Sequence, residues 1–255
     1  MAQTLSVLIL AKNEADKIAR CLESVAWADE RVVVDDFSTD ATAAICRQFG
    51  ALVVQRTFDN FSAQANFGLT HLQGDWVLAL DADELVTPEL RDRIRQVLRD
   101  NPPLAGFSFK RRNYFLGHPM RYGGWYHDIF RLFRRDAVRF AGELHHVPQV
   151  SGRIGRLDDE TRHFPFQSLV QFIERQNRYS SMGARERLAA GRPDERTLMR
   201  QLRTRPVKLL WKFYVKKQGF REGTHGVVFS VLYAWVHFLT WAKCWEGLQS
   251  PVPQP

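Results

Sequence analysis

Residues 76–84 have the sequence Trp-Val-Leu-Ala-Leu-Asp-Ala-Asp-Glu, in which a short apolar run ends in three carboxylates. The apolar run predicts a buried strand of a parallel sheet from Trp76 to Leu80. Carboxylates crowded at a strand end repel one another unless a cation neutralises them. In an extended segment Asp81 and Asp83 would lie on one side. A solvated acidic turn that caps the next helix would give the same sequence, so the rest of the sequence is needed to distinguish such a turn from a cation site.

Strands and helices alternate on both sides of this stretch. Buried strands are predicted at Leu5 to Ala11, Arg31 to Val34 and Leu52 to Gln55, and each is followed by a helical pattern. This alternation predicts a doubly wound, mostly parallel α/β sheet, in which ligands bind at the carboxyl ends of the strands. We therefore expect one rim to carry the acidic residues that follow the strands: Glu14, Asp35, Asp36, Asp81 and Asp83.

The acidic rim is suited to a divalent cation. Mg²⁺ takes oxygen ligands and typically binds one or two carboxylates together with substrate phosphates. The glycine spacing of a P-loop or of a dinucleotide fingerprint is absent from the sequence. Phosphates at this rim are therefore expected to be held through a metal ion and not by a helix N-terminus.

The formal net charge of +8 is unevenly distributed along the 255 residues. Residues 1–163 hold 21 Lys and Arg against 22 Asp and Glu, whereas residues 164–255 hold 15 against 6. A basic final third suggests an anionic partner such as a membrane surface or an acidic glycolipid. Nucleic acid is not expected, because the basic residues are interleaved with apolar helix and match no known reading module. The three cysteines are scattered and are expected to be reduced thiols.

Two segments of the final third predict contact with a membrane. Pro206 to Lys217 interleaves aromatic and aliphatic residues with four lysines, as interfacial helices do. Val227 to Ala242 carries no formal charge, and as a helix it would reach about 24 Å, short of the roughly 30 Å hydrocarbon core. We therefore expect it to lie in the interface without spanning. An apolar helix packed against the rest of the chain is the alternative.

Three motifs, in this order and spacing, carry a resemblance to a known family. Residues 6–14 end in Lys-Asn-Glu, residues 34–40 are Val-Asp-Asp-Phe-Ser-Thr-Asp, and residues 80–84 are Leu-Asp-Ala-Asp-Glu. Together they resemble family 2 glycosyltransferases of the GT-A fold. The bacterial lipopolysaccharide-core glycosyltransferases of that family are similar in further segments: Trp125 to Arg135, His163-Phe164 and Asn177-Arg178-Tyr179.

The resemblance implies a Rossmann-like GT-A sheet with a basic helical extension at the C-terminus. We expect a catalytic domain that binds a nucleotide sugar at residues 1–165. A basic helical region close to the acceptor or the membrane would follow at residues 166–225, and an apolar interfacial helix at residues 226–250.

The resemblance also implies roles for the rim residues. Asp36 would bind the nucleotide base, expected to be uracil, with Asp35 and Glu14 nearby, because carboxylates accept hydrogen bonds from base edges and ribose hydroxyls. Asp81 and Asp83 would hold Mg²⁺ or Mn²⁺ against the donor diphosphate, where a metal neutralises charge on the leaving group.

A catalytic base and a third metal ligand are less clearly marked. An inverting transfer needs a base for the acceptor hydroxyl, and the lipopolysaccharide-core subgroup has a His-Glu pair after its Arg-Leu-Phe segment. The aligned pair here is His145-His146, so the usual carboxylate is missing. Glu143 and a neutral His146 are the two candidates, and we favour Glu143 because burial can raise the pKa of a carboxylate toward neutrality. His163 either completes the metal or diphosphate site or is a histidine at a loop-to-helix junction.

The sequence thus predicts a metal-dependent, inverting glycosyltransferase. Its donor would be a nucleotide sugar, expected to be UDP-linked, and its acceptor a lipopolysaccharide-core or other lipid-linked glycan. It would act at the cytoplasmic face of the inner membrane as a peripheral or monotopic protein.

Two other classes of protein stay open. One is a non-catalytic basic protein that binds membrane or nucleic acid and keeps a vestigial nucleotide site. The other is a nucleotidyltransferase, which would be favoured by an Arg/Gly-rich triphosphate loop that the sequence lacks.

Overall fold

The structure is a computed structural model that describes residues 3–142 and 147–249. Strands and helices follow one another along these residues in the order β1 Leu5–Ala11, α1 Ile18–Ser24, β2 Glu30–Asp35, α2 Thr42–Gln48, β3 Leu52–Gln55, α3 Phe61–Leu69, β4 Trp76–Asp81, β5 Glu84–Val86, α4 Pro88–Asp100, β6 Gly106–Phe115, β7 His118–Pro119, β8 Tyr126–Arg134, β9 Val138–Ala141, β10 Val147–Val150, β11 Ile154–Phe166, α5 Leu169–Ala190, α6 Glu195–Leu210 and α7 Gly223–Leu248.

The chain folds into two compact units. The sheet unit contains residues 1–112 and 127–164, and the helical unit contains residues 113–126 and 165–255. The short excursion 113–126 therefore belongs with the helices, although it interrupts the sheet unit in sequence.

The central sheet has the strand order β3-β2-β1-β4-β8-β6-β11-β5. Strands β3, β2, β1 and β4 are parallel, whereas β8 runs antiparallel to β4 and β5 antiparallel to β11. The doubly wound, mostly parallel α/β fold is thus confirmed. After β1 the chain builds outward through β2 and β3 and then returns to the other side of β1 with β4. The strand order reverses between β1 and β4, and ligands of open α/β sheets bind at such a reversal.

Helices cover both faces of the parallel strands, which explains their uninterrupted apolar sequences. On one face Leu78 and Leu80 pack with Ile9 in the largest hydrophobic cluster. On the other face Val77 packs with Leu8 in a second cluster. A strand buried on both sides has no polar alternation, so the run from Trp76 reads as continuous hydrophobicity.

The region from Phe140 to His163 shows little sign of regular secondary structure in its sequence, yet it contains strands. Strands β9 and β10 form an antiparallel pair, and β11 spans 13 residues of the main sheet. Five of the 13 residues of β11 are charged, and only scattered positions such as Leu157 and Thr161 are buried. Pairing with β5 supplies the order that its hydrophobic pattern does not indicate.

The helical unit is built from α5, α6 and α7 around an aromatic cluster. Phe115, Phe166, Phe172 and Phe229 are buried together. The ring of Trp125 stacks on Phe229 with the ring centroids 4.6 Å apart. The excursion 113–126 is therefore attached to its unit by aromatic packing.

Helix α7 is longer than the charge-free segment from which its length was estimated. That segment ends at Ala242, whereas the helix has 26 residues and ends at Leu248, close to the predicted boundary at residue 250. The ammonium of Lys243, beyond the charge-free segment, donates to Asn177 O at 2.7 Å and to Ser180 Oγ at 2.9 Å on α5. At 1.5 Å per residue α7 reaches about 39 Å, so our argument that the helix is too short to span was wrong.

By length and composition, residues 219–248 could cross a membrane, with a mean hydropathy of 1.4 in their most apolar window. Core helices of soluble proteins can meet the same criterion, so this finding alone does not place the chain in a membrane.

Candidate active site

The ends of three parallel strands bring the acidic residues to one rim. In the sheet register Ala11 of β1 lies beside Asp35 of β2, and Leu10 lies beside Asp81 of β4. The loops that leave β1, β2 and β4 therefore start at the same edge of the sheet, as the sequence predicted.

Hydrogen bonds join the loops that follow β1 and β2. The backbone N–H of Asn13 donates to Ser38 Oγ at 2.9 Å, and its side-chain oxygen accepts from the N–H of Thr39 at 2.8 Å. The N–H of Glu14 donates to Thr42 Oγ1 at 2.8 Å. The Glu14 carboxylate forms an ion pair with the ammonium of Lys17 at 3.1 Å. Glu14 is therefore held beside the second loop.

The two adjacent aspartates after β2 have different surroundings. Asp35 is fully buried, and its carboxylate accepts hydrogen bonds from Ser38 N at 3.1 Å and from Gln55 Nε2 at 3.1 Å. The side chain of Asp36 is 23% exposed, forms an ion pair with Lys12 at 3.4 Å and accepts a hydrogen bond from the N–H of Phe58 at 3.0 Å. Asp35 thus shapes the loop from inside, whereas Asp36 is partly exposed at the rim.

Asp81 and Asp83 come together through a turn. Asp81 is the last residue of β4, and Ala82 and Asp83 form a turn instead of the extended segment that we predicted. The turn connects β4 to β5, which pairs with β11 and not with β4. Ligand atoms of Asp81, Asp83 and His163 nevertheless lie within 4.8 Å of one another. His163 is in β11 and not at a loop-to-helix junction, and its Nε2 lies 3.2 Å from Asp83 Oδ1.

This donor set fits a divalent cation. Two carboxylates and an imidazole converge, and the Asp83 side chain is only 3% exposed. Buried carboxylates need a cation, and oxygen ligands with one imidazole suit Mn²⁺ or Mg²⁺. Asp81, Asp83 and His163 are therefore the residues that would hold such an ion.

Two arginines on neighbouring strands also reach this cluster. Nη2 of Arg131 on β8 donates to Asp81 Oδ2 at 3.0 Å. Nη1 of Arg111 on β6 lies 3.2 Å from Glu84 Oε1 and 3.6 Å from Asp81 Oδ2. Burial alone would raise the pKa of Asp81, but the charges of Arg131 and Arg111 outweigh it and hold that pKa below its usual value.

The Arg111 guanidinium has further capacity to bind. Its Nε is buried and has no hydrogen-bond partner among the described residues. Nη2 of Arg111 lies 3.5 Å from His127 Nε2. Burial, followed by the positive charge of Arg111, lowers the pKa of His127 to about 4, so this imidazole is neutral near pH 7.

The catalytic-base candidates cannot be placed. Glu143, His145 and His146 lie outside the described residues. The choice between Glu143 and His146 therefore stays a prediction.

A mostly parallel sheet with an acidic cluster at its switch point is the arrangement that the resemblance to the GT-A fold implied. The sequence model of the family described as Glycosyl transferase family 2 matches residues 6–164, and the chain belongs to this family. It is therefore a glycosyltransferase, and this class replaces the nucleotidyltransferase and non-catalytic alternatives.

Relatives match over nearly the whole chain. An uncharacterised glycosyltransferase of Rickettsia felis is 28% identical, over 96% of this chain and 91% of its own. The lipopolysaccharide core biosynthesis glycosyltransferase LpsC of Rhizobium meliloti is 26% identical, over 95% and 92%. Among solved structures, the mannosyltransferase PcManGT from Pyrobaculum calidifontis, in complex with GDP-Man and Mn²⁺, has a TM-score of 0.57 at 14% identity, covering 98% and 89% of the two chains. This last similarity shows the fold.

Sequence reasoning gave no role to Arg111 or Arg131. Arg131 lies within the family-like segment Trp125 to Arg135, which was noted only as a whole. Their meeting at Asp81 depends on the order of β4, β8 and β6 in the sheet, which no local pattern encodes.

Proposed function

We propose that the chain is a metal-dependent, inverting glycosyltransferase. It would transfer a sugar from a nucleotide-sugar donor, expected to be UDP-linked, to a lipopolysaccharide-core or other lipid-linked glycan. The observation that carries the proposal is the convergence of Asp81, Asp83 and His163 at the rim that Asp36 also occupies. LpsC supports the acceptor class, and the PcManGT complex supports a nucleotide-sugar donor with Mn²⁺.

The rim residues would divide donor recognition between them. Asp36 has a more exposed carboxylate than Asp35 and would accept a hydrogen bond from the base edge. Asp35 would keep the loop in shape through Ser38 and Gln55. Glu14, fixed beside the same loop, would lie near the ribose. Base specificity would then depend mainly on one carboxylate.

The reaction would be a single displacement. An acceptor hydroxyl oxygen bonds to the anomeric carbon as the bond from that carbon to the diphosphate oxygen breaks, so the configuration inverts. The hydroxyl proton passes to a base, for which Glu143 and His146, with His145 adjacent, are the candidates. A cation held by Asp81, Asp83 and His163 would neutralise charge on the departing diphosphate.

A donor panel tests this proposal. We would incubate the full chain with UDP-, GDP-, ADP- and CMP-linked sugars and a lipid-A-core acceptor, with MnCl₂ or with EDTA. Release of nucleoside diphosphate is expected with a UDP-sugar, to depend on acceptor, and to stop in EDTA. Binding of UDP without turnover on any core acceptor would contradict the proposal and favour a vestigial site.

We further propose that the helical unit attaches to the cytoplasmic face of the inner membrane. Four exposed apolar residues of α7 are spaced four, seven and seven residues apart, so they share one side of the helix: Val227, Val231, Phe238 and Trp245. We name this set the α7 stripe. Trp211, which directly follows α6, is also exposed, and residues 164–255 carry the excess of basic residues. Exposed apolar and basic groups together suit an anionic lipid surface.

Sedimentation with lipid vesicles tests the attachment. The full chain should bind vesicles that contain phosphatidylglycerol, bind neutral phosphatidylcholine vesicles more weakly, and dissociate as salt rises. Replacing Phe238 and Trp245 with glutamate should weaken binding, whereas replacing the equally exposed Leu52 of the sheet unit should not. Membrane attachment would be contradicted by a full chain that is soluble in low salt and binds neither type of vesicle. Dimerisation through the α7 stripe would then explain the exposed apolar residues.

A further inference from the structure

The acidic cluster and its arginines have a charge balance that bears on metal binding. Asp81, Asp83 and Glu84 supply three negative charges, and Arg111 and Arg131 supply two positive charges within 3.6 Å of the Asp81 and Glu84 carboxylates. Counting these carboxylates and guanidinium groups, one negative charge remains. A divalent ion would make the cluster positive, and a negatively charged diphosphate would then balance it.

Arg131 and a metal ion would compete for the same oxygen. Asp81 Oδ2 accepts from Arg131 at 3.0 Å and has Arg111 at 3.6 Å. A cation at Asp81 would be repelled by both guanidinium groups, which are mostly buried and therefore weakly screened. Binding of the ion alone should be weak for this reason.

The same arginines are suited to bind a diphosphate. A guanidinium presents five N–H donors in a planar fork that matches phosphate oxygens. Arg111 already has a buried Nε without a partner among the described residues. A diphosphate would give both arginines new acceptors when the metal takes Asp81.

We propose that Arg131 and Arg111 form a guanidinium pair that couples metal binding to donor binding. In this scheme the pair holds Asp81 until a nucleotide diphosphate arrives, then moves to the phosphate oxygens and leaves Asp81 to the cation. The inference rests on the proposed function, since it assumes a diphosphate ligand. Its consequence is that metal and donor each strengthen the binding of the other.

The test compares Mn²⁺ binding to the full chain and its variants, measured by electron paramagnetic resonance of free Mn²⁺ with and without UDP. Arg131→Gln keeps an N–H donor for Asp81 but removes the charge. It should bind Mn²⁺ alone at least about tenfold more tightly than the wild type, and UDP in saturating Mn²⁺ at least about tenfold more weakly. Arg131→Lys keeps the charge and should bind Mn²⁺ alone as the wild type does.

Arg112, which lies beside Arg111 on β6, offers a control arginine outside the cluster. Its side chain is 16% exposed against 17% for Arg111, and it pairs with Glu160 at 2.7 Å outside the cluster. Arg112→Met should leave both affinities unchanged. An Arg131→Gln variant that binds Mn²⁺ no more tightly than the wild type would overturn the proposal.

The thermal stability of Arg131→Gln, measured with and without Mn²⁺, provides a second test. If Arg131→Gln is unstable, Mn²⁺ should restore its melting temperature, because the ion replaces the missing charge, and failure of that rescue would count against the pair. If the wild type binds Mn²⁺ but no nucleotide, the proposed donor chemistry fails. The comparison with Mn²⁺ alone still decides whether Arg131 competes with the ion.

Discussion

Replacing Asp83 with asparagine should separate activity from stability. Asparagine has the same shape but removes a charge that the structure places within 4.8 Å of the Asp81 ligand atom. Loss of one charge partner of the transition state commonly costs a hundred- to a thousand-fold in rate, or about 3–4 kcal/mol. Repulsion between two charges at that distance is about 3 kcal/mol at an effective dielectric constant of 20, and its relief offsets the weakened contact with His163. We therefore expect the unfolding free energy to stay within about 1 kcal/mol of wild type.

The assay measures Mn²⁺-dependent release of nucleoside diphosphate together with urea unfolding. Asp159→Asn is the control, because this carboxylate pairs with Arg93 at 3.3 Å outside the acidic cluster. The control should keep full activity. Wild-type turnover by the Asp83 variant would refute the metal assignment, and loss of cooperative unfolding would show that Asp83 is needed for the fold instead.

Three more predictions follow from single contacts. Asp36→Ala should raise the donor KM about tenfold with little change in kcat, as initial-rate kinetics would show, and an unchanged KM would contradict base binding. Glu222→Gln should lower the unfolding free energy by about 2 kcal/mol in urea titrations, because the buried carboxylate accepts from His118 Nε2 and from the N–H groups of Arg121 and Tyr122, each at 2.6 Å. The pKa of His127 falls from 6.5 to about 4 on folding, so the unfolded chain binds more protons in that window and stability should drop as pH falls through it. His127→Asn should flatten this dependence, and an unchanged slope would contradict the assigned pKa.

The sequence predicted the parallel half of the fold well because its strands are buried on both faces. The predicted and observed bounds of β1 and β3 are the same, Leu5–Ala11 and Leu52–Gln55. Uninterrupted hydrophobicity between turn residues is a local signal, so it can be recognised without knowing the neighbours.

The antiparallel half was harder to predict because its order comes from pairing. Strand β11 has five charged residues among its 13, without the continuous apolar run of the parallel strands, and gains its structure beside β5. The length of α7 was underestimated when it was taken from the charge-free segment, because lysine is compatible with a helix and polar groups of α5 bind the Lys243 ammonium.

The position of the acidic rim could be predicted from the topology of the sheet, whereas the charges that surround it could not. Parallel strands end at one edge, so Asp36 and Asp81 could be placed together from their positions after β2 and β4. Arg111 and Arg131 reach Asp81 from antiparallel strands, whose order in the sheet was not predictable. The residues that set the charge of the site are thus the ones that sequence reasoning missed.

The central claim is that Asp81, Asp83 and His163 hold the catalytic cation. A crystal of the full chain grown with MnCl₂ and UDP would test it through the anomalous scattering of manganese. We expect a single strong peak about 2.2 Å from a carboxylate oxygen of Asp81 or Asp83, with UDP phosphate beside it. A manganese peak bound by other residues, with UDP present and these three side chains still bonded as they are here, would contradict the account.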